Sequence, residues 1–162
     1  MAGGYSPVEE MQDVRAFTST QIAASEDMFN GDPASDVISL SQHRGIVFTI
    51  TKYAGATGTA DITVESCDDV TPTTTTAVAF RYRATTGATP GAWTAAAAAG
   101  FTTTAGANQS YEIVVLAEGL SGTDQFVRLQ CTENADSPCD GAISAKLFGP
   151  RFAFDGGIDP TA

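Results

Sequence analysis

A side-chain period of two governs this chain. Tyr111, Ile113 and Val115 share one face of a first apolar run, residues 111–117. Val127, Leu129 and Cys131 do the same in residues 126–132, and Ile143, Ala145 and Leu147 in residues 142–148. Clusters of Gly, Asp and Ser at 118–124 and 134–141 separate the runs. Successive side chains of an extended backbone point to opposite faces, so alternation between turn formers marks half-buried antiparallel strands. Residues 111–151 are therefore expected to form the central meander of an all-β domain.

The same period runs upstream. Residues 36–40 predict a short strand. In residues 45–53, Ile46, Phe48 and Ile50 oppose Val47, Thr49 and Thr51; in 59–67, Ile62 and Val64 face inward against Asp61, Thr63 and Glu65. The flexible link AGATGT between these two runs predicts a hairpin. Residues 77–83 put Val78, Phe80 and Tyr82 on one face and Arg81 and Arg83 on the other. The single tryptophan, Trp93, is expected to pack across Phe80 or Tyr82. The alanines at 95–99 are too few to nucleate a helix, and residues 101–104 and 151–154 complete the pattern as short strands. About eight or nine strands, at intervals of about 10–15 residues, predict an antiparallel β-sandwich. Alternation gives strands but not their connections, so jelly-roll and immunoglobulin-like orders both stay open.

Residues 1–35 break the pattern. Glu9, Glu10 and Asp13 cluster there, while Phe17, Ile22, Met28 and Phe29 are scattered without a period. The segment reads as an extended N-terminal arm that lays those four apolar side chains across a neighbouring subunit. A β-sandwich at 36–154 and a polar tail at 155–162 follow. On this reading, removing residues 1–33 leaves a folded domain that no longer attaches to its partner.

At 162 residues the chain suits one domain able to bury a core without a metal or cofactor. Its formal charge of −11 repels phosphate backbones and anionic lipid, which argues against nucleic acid and membrane as partners. The first residues lack the basic and apolar regions of a secretory signal. No apolar run approaches the roughly 18 residues that span a bilayer. The expectation is a soluble protein made in a cytoplasm.

Residues that carry chemistry are sparse. His43 is the only histidine and stands beside Arg44 in a predicted turn, poor material for a triad or a histidine metal site. Cys67, Cys131 and Cys139 are odd in number and lack CxxC spacing, which favours buried thiols over zinc or a disulfide framework. Cys131 and Cys139 nonetheless flank a turn and could pair. The acid pairs Asp68/Asp69 and Asp155/Asp159 lack the spacing of a calcium loop and read as turn aspartates. Arg81 and Arg83, outward on one strand of an acidic chain, are candidates for contact with an acidic partner surface. No catalytic residue, cofactor or metal is expected, and the chain does not read as an enzyme.

Several phrases occur together: GATGTADITVESCDDVTP, FRYR followed by GAWT, GFTTTAGANQSYEI, and FVRLQCTENADSPCDGAISAKLFGPR. In that order they resemble small structural proteins of tailed bacteriophages, the head decoration or cement proteins, over roughly residues 37–154. The resemblance implies a β-sandwich made in a bacterial host and seated on the outer capsid surface. There it would bridge major capsid subunits and neighbouring copies of itself, a trimer being one arrangement. It transfers no catalytic residue. A carbohydrate-binding module on a virion or tail, with Trp93, Tyr82 and Tyr111 as a stacking platform, is the alternative expectation.

Overall fold

The computed structural model describes residues 11–14, 27–54 and 56–150. The strands are β1 (Met11–Val14), β2 (Ile38–Ser39), β3 (His43–Lys52), β4 (Thr59–Cys67), β5 (Thr75–Ala77) and β6 (Phe80–Thr86). They continue as β7 (Thr89–Pro90), β8 (Thr94–Ala96), β9 (Phe101–Thr102), β10 (Gln109–Leu116), β11 (Phe126–Ala135) and β12 (Gly141–Pro150). One 3-10 turn, Ala117–Gly119, is the sole helical element among the described residues. No helix there is long and apolar enough to cross a membrane.

The strands build an all-β sandwich of two antiparallel sheets. The larger, sheet I, runs β1-β12-β3-β10-β6-β7, with β8 also paired to β6; sheet II runs β2-β11-β4-β5, with β9 also on β4. Ile46, Phe48 and Ile50 of β3, Tyr111, Ile113 and Val115 of β10, and Ala145 and Leu147 of β12 turn inward from sheet I. Ile62 and Val64 of β4 meet them with Val127, Leu129 and Cys131 of β11 from sheet II. Each fully buried Ile, Leu, Val or Phe contributes about 1.5–3 kcal/mol, so these inward rows carry the fold. All three cysteines lie in this interior as free thiols.

The alternation located the strands but misassigned two connections. The expected meander does not form: β10 and β12 both flank β3 in sheet I, while β11 lies in sheet II. The expected hairpin between residues 45–53 and 59–67 is also absent, because β3 and β4 belong to opposite sheets. In both cases the link crosses the sandwich instead of turning within a sheet. A period of two says which way a side chain points, not which sheet owns the strand.

The N-terminal segment needs a larger correction. Met11–Val14 is a strand on the edge of β12, with Met11 opposite Phe148 and Asp13 opposite Lys146. Met28 and Phe29 are not offered to a neighbour; both are buried in the chain's own core. The backbone that follows runs along β11: Ser35 N donates to Leu129 O at 2.8 Å, Cys131 N to Pro33 O at 3.0 Å and Leu40 N to Gln125 O at 2.7 Å. These bonds cover what would otherwise be an open sheet edge. Where it is described, the expected arm is part of the sandwich, so deleting residues 1–33 removes core instead of leaving a folded domain. Phe17, Ile22, the tail at 155–162 and the expected strand at 151–154 lie outside the described residues.

Candidate functional site

The outer face of sheet I sets itself apart from the rest of this acidic molecule. Strand register lays three rows across it. Met11, Phe148, Gly45 and Leu116 form the first, across β1, β12, β3 and β10. Two residues along, Asp13, Lys146, Val47, Val114 and Arg81 form the second, reaching β6. Ser144, Thr49, Glu112 and Arg83 form the third. Met11 is 46% exposed and Leu116 43%, with Val47, Val114 and Phe148 half-buried between them. Scattered apolar side chains on a surface are ordinary; a contiguous row with a charged rim makes this face the candidate site.

Charge on this face is nearly balanced. Arg83 Nε bonds Glu112 Oε2, which holds the guanidinium pKa above its usual value. Lys146 Nζ lies 3.4 Å from Asp13 Oδ1. Arg81 forms no ion pair among the described residues. Three cations thus face two carboxylates, on a chain whose overall charge is −11. At the end of the face stands His43, opposite Pro150; partial burial lowers its pKa and favours the neutral ring. On the outer face of sheet II, Asp61 and Glu65 stand on β4, Glu65 paired with Arg128 of β11.

Both predicted arginines therefore sit on one outward face, as their spacing implies, but their surroundings differ. Arg83 is sandwiched between Glu112 and the ring of Trp93, its Cζ 4.8 Å from the ring centroid. Trp93 does not pack on Phe80 or Tyr82. The place expected for it is taken by Phe101, which stacks on Tyr82 with centroids 3.9 Å apart and ring planes at 2°. Trp93, in the bulge between β7 and β8, is left 42% exposed at the rim of the outer face. Tyr111 is buried, and its hydroxyl accepts from Thr104 N and donates to Gln109 Oε1. Tyr82 and Tyr111 thus both face inward against Phe101 while Trp93 stands on the outer side, so the three rings named for a stacking platform share no surface.

The acid pair Asp68/Asp69 sits in a turn. Asp68 accepts from Thr73 Oγ1 and from Thr74 N, which lowers its pKa, and Asp69 accepts from Val70 N. Asp155 and Asp159 lie outside the described residues. Lys52 was not singled out in the sequence, yet it is 1% exposed, its Nζ donating to Gly58 O at 2.8 Å and Thr104 O at 2.7 Å. Burial lowers its pKa, opposed in part by nearby Cys139. Its signal was positional: it follows Ile46, Phe48 and Ile50 at the next inward site.

Searches of protein-family models, curated proteins and solved structures found no match to this chain.

Proposed function

We propose that this protein is a structural component of a phage virion, a decoration protein that attaches to the outer capsid surface through the outer face of sheet I. Attachment there stabilises contacts between major capsid subunits. What supports this is the contrast between one near-neutral, partly apolar face and an otherwise acidic body. Five strands of four to ten residues, at about 3.3 Å per residue and about 4.8 Å spacing, give this face roughly 600 Å². That is on the scale of one partner's share of a modest interface. Such a contact is weak singly and strong when many copies share one shell. Arg81, without an ion pair among the described residues, supplies a cation for a carboxylate on the partner, and Leu116 and Met11 supply apolar area. The acidic remainder keeps the unattached protein soluble and discourages attachment by the wrong face.

The test uses purified shells lacking the protein and measures bound copies by sedimentation. Leu116→Asp and Arg81→Glu are each expected to lower affinity at least about tenfold, the cost of roughly 1.4 kcal/mol, while exposed Thr76→Asp on sheet II is neutral. Wild-type binding by both folded outer-face variants would sink the assignment. Glycan binding lost in Trp93→Ala, with no binding to shells, would favour a carbohydrate-binding module instead.

A further inference from the structure

Residues 27–36 lie as a strap along β11, anchored on both sides of one exposed turn. Before the turn, Phe29 is fully buried and its amide donates to Asp27 Oδ1 at 3.1 Å. Met28 N donates to Cys139 O at 2.8 Å, and Asp27 brings a carboxylate oxygen within 4.8 Å of one on Glu133. After the turn, Asp32 Oδ1 accepts the Glu133 amide at 2.7 Å and Asp32 O accepts Gln130 Nε2 at 3.1 Å. Pro33 O then accepts Cys131 N at 3.0 Å. Between these anchors Asp32 N donates to Phe29 O at 3.2 Å, which closes the turn over Asn30 and Gly31.

That turn meets the conditions for a reaction of the backbone with its own side chain. Asn30 and Gly31 are both exposed. Gly31 has φ +77°, and a β-carbon there would meet nothing within 4 Å, so no side chain crowds its amide nitrogen. Among the described residues neither the Asn30 side chain nor the Gly31 amide makes a hydrogen bond. An amide without an acceptor can swing with its peptide plane, and glycine accepts φ of either sign, so the plane can rotate toward the Asn30 side chain. The other two asparagines are held. Asn108 O accepts Gly87 N at 3.2 Å, and the next residue, Gln109, is paired in β10. The Asn134 side chain bonds Asp61, and the next residue, Ala135, is paired with Thr59.

We propose that Asn30 is a site of spontaneous covalent modification, in which the Gly31 amide nitrogen displaces ammonia from the Asn30 side chain. The Gly31 nitrogen gives up its proton and bonds to Asn30 Cγ; the Cγ–Nδ2 bond breaks, and Nδ2 leaves as ammonia with that proton. Water then opens the cyclic imide. Opening at Cγ yields aspartate in an ordinary chain. Opening at the Asn30 backbone carbonyl carbon leaves the main chain running through the side chain, an isoaspartate one methylene longer. The net change consumes one water and turns an amide into a carboxylate and ammonium, with no other reactant. In the isoaspartate the added length falls between two fixed anchors, so the bonds from Asp32 and Pro33 to β11 must give. The turn thereby limits how long the strap stays seated on sheet II. This inference is independent of the capsid assignment.

The experiment incubates the full chain in mildly alkaline and mildly acidic buffer and follows each asparagine by peptide mapping with mass spectrometry. Enzymatic isoaspartate labelling separates the two products. Asn30 is expected to lose its amide at least about tenfold faster than Asn108 or Asn134, whose following residues carry side chains. Alkaline buffer is expected to speed the loss, because the Gly31 nitrogen must shed a proton to attack. Hydrogen exchange at the Cys131 and Glu133 amides is expected to quicken in the aged chain. It is expected to stay slow in fresh Asn30→Asp, which carries the charge without the longer backbone. It is also expected to stay slow in aged Asn30→Gln, whose side chain would have to close a larger, slower-forming ring. An Asn30 that converts in urea but stays intact in the folded chain overturns the proposal, and so does equal conversion at Asn108 or Asn134. Conversion of Asn30 with unchanged exchange at Cys131 and Glu133 overturns the loosening of the strap.

Discussion

Phe148 lies across the bare α-carbon of Gly45 on the outer face of sheet I. A β-carbon at Gly45 would stand 2.7 Å from Phe148 Cζ and 2.4 Å from the carbonyl oxygen of Val115. The ring fills the space that a side chain would occupy, and it covers a weak point in a central strand. Gly45→Ala must push backbone as well as ring, so it is expected to cost about 1–3 kcal/mol. Gly119→Ala, where a β-carbon meets nothing within 4 Å, is the matched control. Urea denaturation of both variants checks the difference.

Alkaline pH should unfold the protein through its thiols. Burial pushes Cys131 up to about 12 and Cys139 up to about 11, and raises Cys67 as well. An unfolded thiol ionises near pH 9, so above that the unfolded state releases protons that the folded state keeps. Stability is therefore complete below about pH 9 and declines above it, by up to about 1.4 kcal/mol per pH unit per thiol, until each folded pKa is passed. Replacing Cys131 by Ala is expected to flatten the decline by one thiol's share. Denaturation midpoints from pH 8 to 10.5 measure it.

Lys52 titrates with the opposite sign. Its folded pKa lies below the unfolded value, so as pH rises between the two the folded form gains stability relative to a chain without this lysine. At neutral pH the ammonium still donates to two carbonyls, that of buried Gly58 being the one water cannot readily reach. Lys52→Met leaves that oxygen without a donor and is expected to cost about 1–3 kcal/mol. The gap between wild type and Lys52→Met is then expected to widen on going from pH 8 to 10, a trend that a merely apolar role for the side chain would not produce.

Phe101 joins the two sheets. It pairs with β4 through Ile62, and its ring contacts those of Tyr82, Tyr111 at 5.5 Å and Phe80 at 6.1 Å. Phe101→Ala in this half-buried position is expected to cost about 2–4 kcal/mol. Phe101→Leu keeps most of the volume but not the stacking, and should cost about 1 kcal/mol. Near-ultraviolet circular dichroism of both variants would report loss of the tyrosine stack.

Alternation revealed most strands because one face of each is buried; β4 spans Thr59–Cys67, the bounds its pattern predicts. It also carried more than was drawn from it. Continuing Val127, Leu129, Cys131 by two reaches Glu133, and continuing Ile46, Phe48, Ile50 by two reaches Lys52. Both polar residues stand where the series calls for an apolar one; Lys52 is buried there, while Glu133 is half-buried near the end of β11. Met28 and Phe29 left no such trace, since they enter the core from irregular backbone. Trp93 misled because its bulge turns it outward, a backbone detail that composition does not encode. The gathering of Asp27 with Glu133 depends on residues about a hundred positions apart, which no local pattern records.

Strand β12 slots between β1 and β3, so the larger sheet is closed by residues 141–150 inserting beside a partner about a hundred positions earlier. On the ribosome, β3 must wait with one flank bare until that late segment emerges, and pairing over such a span is slow. Prematurely terminated chains would keep that flank open to chaperones, proteases and one another. Only a chain extended through Pro150 can assemble the rows that cross sheet I from β1 to β6, so completion of β12 decides when that outer face exists.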